Sequence, residues 1–122
     1  MMNQSQKAAA AVGEVVRPVL VYEFLGTALL VYAYNLGAYD LRAYAYLIGW
    51  LLAYHISGAE FNPAVSLASF FVSRKWNQAK ALCIKMFVQL LGALFGIFIV
   101  LLLLSDKGNF TLKPAMTDLY FD

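Results

Sequence analysis

Twenty consecutive residues, Met86 to Ser105, carry no charged side chain. About 20 apolar residues in a helix cross the hydrocarbon core of a bilayer, and a run of that kind dominates what a chain of 122 residues can become. Charge is nearly as sparse elsewhere. Glu23 is the only charged residue from Pro18 to Tyr39, and Glu60 the only one from Ala43 to Ser73. The chain is 62% hydrophobic and 13% charged, with mean hydropathy +0.68, against about 45–50% apolar and about 25% charged for soluble domains. One small core cannot hide that much apolar surface. A water-soluble globule and a disordered tail are excluded. A net charge of +2 spread along the length does not make the basic patch of a nucleic-acid binder. An integral, multi-pass membrane protein remains.

The chemistry is narrow as well. Cys83 and His55 each stand alone, so neither a disulfide nor a Cys/His metal centre is expected. Nucleophilic catalysis needs a base with a partner. No catalytic residue, metal or cofactor is expected, and the chain does not read as an enzyme. Residues Met1 to Gly13 lack the apolar stretch of a secretory signal and read as a short frayed or helical arm.

The sequence predicts an all-α membrane protein with three transmembrane helices and one shorter helix. Spans are expected over about 15–37, 40–56 and 79–104. Lys85, inside the third, is expected to snorkel toward an interface. Gly92 and Gly96 form a G-x-x-x-G face suited to close helix packing in lipid. The stretch from Ala43 to Ser73 has 31 residues, too many for one span and too few for two. Ser57-Gly58-Ala59 breaks it. Asn62 is a preferred N-cap, and Pro63 suits the first helical position, where its missing N–H costs nothing. A helix from Pro63 to about 73 reaches ~15 Å, half a bilayer, and Arg74-Lys75-Trp76 ends it at an interface. The polar break is thus expected near the midplane, where irregular backbone survives only inside protein or beside a wet cavity. With the N-terminus inside, five cations (Lys7, Arg17, Arg74, Lys75, Lys80) lie inside and three (Arg42, Lys107, Lys113) outside, the sense of the positive-inside rule.

Ser57-Gly58-Ala59-Glu60-Phe61-Asn62-Pro63-Ala64-Val65-Ser66 resembles the Asn-Pro-Ala loop of the aquaporin and glycerol-facilitator (major intrinsic protein) family. Glu23-Phe24-Leu25-Gly26-Thr27 resembles that family's first helix, and Gln89-Leu90-Leu91-Gly92-Ala93 its third. The resemblance covers about Glu14 to Leu104 and matches one half, the N-terminal half, of a six-span architecture built from two inverted repeats. It implies that Asn62, Pro63 and Ala64 form the half-helix tip that lines a pore. It also implies that Glu23 braces the loop, together with Glu60, Ser57 and Gly58, and that Gly92, Gly96 and Gln89 pack the third helix.

Three departures bear on conduction. Glu60 stands where the family usually has His. Arg42, twenty residues before Asn62, lies roughly where the family places a filter residue. Trp50 and Tyr54 are bulky in the helix that leads to the loop. These last three are candidate constrictions. Two functions follow from the resemblance. In one the chain is a non-conducting structural or accessory subunit of a larger membrane complex, and its partners are lipid and other membrane subunits. In the other it is a half-channel that pairs with a second half to pass water or small neutral solutes. A half-helix tip and Glu60 facing a missing half would make a lone chain unstable in lipid. Residues 106–122 read as a polar tail, with a glycosylation sequon at Asn109.

Overall fold

The computed structural model describes residues 4–36 and 39–104. The polar tail and its Asn109 sequon lie outside them. Four α-helices run in the order α1 (Gln4–Leu36), α2 (Tyr39–Ser57), α3 (Pro63–Ser73) and α4 (Ala79–Leu104), with one 3-10 turn at Trp76–Gln78. No strand occurs among the described residues. From Gln4 onward the expected arm is continuous with α1. Two stretches, Val16–Leu36 and Trp76–Leu104, are long and apolar enough to cross a membrane. The third, α2, has 19 residues, or ~28 Å of helix. Asp40, Arg42 and three tyrosines lie in its first half.

Helix α1 is the centre of the packing, with α4 on one side and α2 on another. Small residues permit this. A Cβ on Gly92 would stand 2.4 Å from the Phe24 carbonyl oxygen, and one on Gly96 would stand 2.6 Å from that of Ala28. Both contacts are with α1 backbone, so only glycine allows α4 this close. Small-residue faces of this kind drive helix association in lipid, where van der Waals contact replaces the hydrophobic effect. Phe24 and Phe95 flank the seam, their ring centroids 5.4 Å apart. Away from it, large apolar side chains face outward: Leu52, Phe87, Leu94 and Val72 are all exposed. What is buried is polar to an unusual degree, since Glu23, Thr27, Ser66 and Gln89 are all enclosed. The interior therefore serves the segment between α2 and α3.

Candidate functional site

Between Ser57 and Pro63 the backbone turns through two left-handed residues and a glycine in the same region. Gly58 has φ 84°, Ala59 51° and Phe61 48°. For non-glycine residues this conformation costs roughly 1–2 kcal/mol each, so neighbouring groups must hold it. The Gly58 N–H donates to the Tyr54 carbonyl at 3.0 Å. The Ala59 N–H donates to Ser57 Oγ at 3.1 Å. The next two N–H groups leave the loop altogether: Glu60 donates to Glu23 Oε1 at 3.2 Å and Phe61 to Glu23 Oε2 at 2.8 Å. Thr27, one turn further along α1, donates from Oγ1 to its own helix at Glu23 O (2.7 Å) and lies 3.2 Å from the Phe61 carbonyl. The Phe61 ring then fills the space that Gly26 and Gly49 leave open. A Cβ on Gly26 would fall 2.0 Å from that ring. Ala53, Ala59 and Phe61 make a small buried cluster there.

Helix α3 starts as the residues dictate. Asn62 is its N-cap, with φ −150° and ψ 125°, and Pro63 opens it. Asn62 Oδ1 accepts from the Ala64 N–H at 2.9 Å. Asn62 is itself exposed, so its Nδ2 donor stays on the open side of the chain.

Charge closes the other side. Glu23 is fully buried and would be very costly there without partners. Besides the two backbone donors, it accepts from Gln89 Nε2 at 2.9 Å and pairs with Lys85 Nζ at 3.3 Å. Lys85 Nζ also pairs with Glu60 Oε2 at 2.8 Å and donates to the Ser57 carbonyl at 3.0 Å. Three acceptors match the three N–H donors of an ammonium. Gln89 Nε2 makes a second bond, to Ser66 Oγ at 2.8 Å, tying α3 to α4. Gln89 Oε1 is buried without a partner among the described residues. One cation and two carboxylates thus join α1, α4 and the loop in one network.

This arrangement corrects the expectation for Lys85. It does not snorkel; it turns inward. At an interface it would gain water but abandon two carboxylates and a carbonyl in a low-dielectric site. The premise that Glu60 faces a missing half is corrected for the same reason, because its carboxylate is held by Lys85.

Ser57 donates to the Ala53 carbonyl at 3.4 Å besides accepting from Ala59, and Gly58 supplies the sharpest left-handed turn. Gln89 sits on the same face of α4 as Gly92 and Gly96 but acts through hydrogen bonds. The three candidate constrictions are not gathered at the loop. Trp50 and Tyr54 stack on each other at 4.6 Å and remain exposed, while Gly49 and Ala53 face Phe61 instead. Arg42 lies near the opposite end of α2, its guanidinium 5.0 Å from the Tyr34 ring centroid. The sequence reading missed Lys85, Thr27, Phe61 and Ser66 as parts of the site. A signal for the first was present. Positions 85, 89, 92, 96 and 100 share one helical face, and a lone lysine on the face that carries Gln89 and both glycines points with them toward the packed side.

The chain matches the family model for Major intrinsic protein over residues 14–119, and it belongs to that family. It is accordingly an integral membrane protein of a channel family rather than an enzyme family. No curated protein and no solved structure is significantly similar to it.

Proposed function

We propose that the chain is one half of an aquaporin-like fold, with α1, α2 and α4 as spans and α3 as a re-entrant half-helix. It acts mainly as a non-conducting structural subunit of a larger membrane complex. The observation that carries this is the one-sidedness of the loop. On the inner side every backbone N–H from Gly58 to Phe61, the Phe61 carbonyl and the Glu60 carboxylate are tied to α1, α2 or α4. On the outer side Asn62 ends in an open donor with no opposing wall among the described residues. A conducting path in the family is expected to need two opposed tips, whose half-helix dipoles and side-chain donors meet at the centre. One tip against lipid makes a brace, not a pore.

A second reading has its own support. The Nδ2 of Asn62, which is open among the described residues, is the kind of donor a passing water uses, and Trp50 and Tyr54 pack on each other. Paired with a complementary half, the chain would then line half a channel. Stopped-flow shrinkage of liposomes separates the two. The purified chain alone is expected to leave permeability at the level of empty vesicles, and pull-down from its native membrane is expected to recover it in a large complex. Water permeability well above empty vesicles, abolished by Ala64→Trp, would overturn the structural reading.

A further inference from the structure

An open groove of about 640 Å³ runs between α1, α3 and the start of α4. One wall is apolar, from Val16, Val19 and Leu20 of α1 with Ile84 of α4. The facing wall carries hydroxyls, from Ser69 and Ser73 of α3. The mouth carries Lys75, Asn77, Gln78 and Lys80, all exposed. Among the described residues that line the groove, Glu60 is the only acidic one, and it is bound to Lys85 at the inner end. The two mouth lysines therefore meet no further acidic group among the described residues of the lining. Trp76, beside them and exposed, marks headgroup depth in the membrane reading.

We propose that this groove is a binding site for an anionic phospholipid. The phosphate sits between Lys75 and Lys80. The Asn77 and Gln78 amides and the Ser73 and Ser69 hydroxyls meet the glycerol and ester oxygens. One acyl chain lies along the Val16–Leu20 wall. Charge complementarity selects this occupant. A zwitterionic lipid would bring a choline cation to two lysines, and an apolar partner helix would leave both lysines and the serine wall without acceptors. Basic pockets at the ends of membrane helices recognise anionic headgroups on these grounds. The proposal is independent of whether the chain conducts, because Asn62 is not among the residues that line the groove.

The test uses the full chain in mild detergent, titrated with an equimolar mixture of phosphatidylglycerol and phosphatidylcholine. Native mass spectrometry counts the lipid retained. The expected result is a preference for phosphatidylglycerol of roughly tenfold to thirtyfold, the upper figure being the scale set by two basic side chains near an anionic headgroup. Lys75→Gln/Lys80→Gln should bring the two lipids close to parity. Val19→Trp, which fills the apolar wall, should lower retention of both. Lys107→Gln/Lys113→Gln removes the same charge beyond the other end of α4 and should leave the preference intact. Raising the salt concentration on the unaltered chain should weaken the preference, a check that requires no variant to fold. Equal retention of the two lipids by the unaltered chain would overturn the proposal. So would a preference that survives Lys75→Gln/Lys80→Gln, or one lost equally in Lys107→Gln/Lys113→Gln.

Discussion

Replacing Lys85 by Met tests the charge network directly. Methionine keeps the length and much of the volume of the lysine stem, so the change is largely one of charge and donors. The ammonium lies 3.3 Å from Glu23 and 2.8 Å from Glu60, and both its own side chain and that of Glu60 are less than a fifth exposed. At an effective dielectric of about 20, unit charges at those separations attract by roughly 5–6 kcal/mol, and desolvation offsets a large part of it. Removing one partner of a buried pair costs about 3–5 kcal/mol, because the remaining charge is orphaned. Here two carboxylates would be orphaned, but unequally. Glu23 keeps three donors, the N–H groups of Glu60 and Phe61 and Gln89 Nε2. Glu60 loses its close cation. Lys85→Met should therefore destabilise by about 3 kcal/mol, and Glu60→Gln added to it should recover more than half of that. The assay is reversible unfolding of the chain in mixed micelles, followed by circular dichroism over a denaturing-detergent titration, with all four members of the cycle. A Lys85→Met chain within about 0.5 kcal/mol of the parent, the size of a neutral surface change, would refute the network. So would a double variant no more stable than Lys85→Met, since coupled neighbours must show an interaction energy.

Three further outcomes follow from the same geometry. Gly92→Val places a side chain where backbone oxygen stands at 2.4 Å from the Cβ; it should separate α1 from α4 and cost at least about 1–3 kcal/mol, read in the same titration. Glu23→Gln keeps the size but removes the charge, and one of its two acceptor oxygens becomes a donor facing the N–H pair and Lys85. It should be as damaging as Lys85→Met, with faster proteolysis between Ser57 and Pro63 as the second readout. Asn62→Ala loses only the cap on the Ala64 N–H; it should cost about 1 kcal/mol, and a loss above about 3 kcal/mol would mean that Asn62 holds more than the helix start.

Helix positions were legible because they depend on local chemistry. Runs without charge, the Ser57-Gly58-Ala59 break, and the Asn62-Pro63 start each act over a few residues. The structure opens α3 at Pro63 with Asn62 as its cap, as those residues require. The site was less legible because it depends on what faces what. Glu23 and the Lys85–Gln89 pair are more than 60 residues apart, and both lie on helices whose long apolar faces leave the buried stripe hard to pick out. Lys85 was misread because a lysine near a span end has two low-energy options, water outside or acceptors inside. Only the folded position of Glu60 decides between them. Trp50 and Tyr54 illustrate a second limit of the sequence. Bulk was visible in the sequence, but the direction of that bulk around α2 was not, and the loop is met by Gly49 and Ala53.

The inward turn of Lys85 changes what a lone chain faces in lipid. A half-helix tip with a bare carboxylate would be costly there, since unsatisfied polar groups cost several kcal/mol each. The structure leaves much less exposed. Pro63 has no N–H, the Ala64 N–H goes to Asn62 Oδ1, and the Ser66 N–H goes to the Asn62 carbonyl at 3.0 Å. Of the first four positions of α3, only Val65 keeps an open N–H among the described residues. With Asn62 Nδ2 this makes two open donors on the outer side of the tip. The apolar faces of α2 and α4 give no net pull between helices, because lipid tails are as apolar as leucine. Whatever completes the assembly should therefore present acceptors to Asn62 and Val65, and the surrounding contact should be chiefly shape. It follows that the purified chain should remain folded as a monomer in mild detergent, its tip donors met by a few waters, and that partner capture should be more sensitive to Asn62 than to any single exposed leucine. Size-exclusion chromatography with light scattering gives the first result directly. Pull-down of the native complex with Asn62→Ala beside Leu52→Ala gives the second. A chain that aggregates whenever its partner is absent, or one whose partner is lost as readily with Leu52→Ala as with Asn62→Ala, would mean that the open donors do not direct assembly.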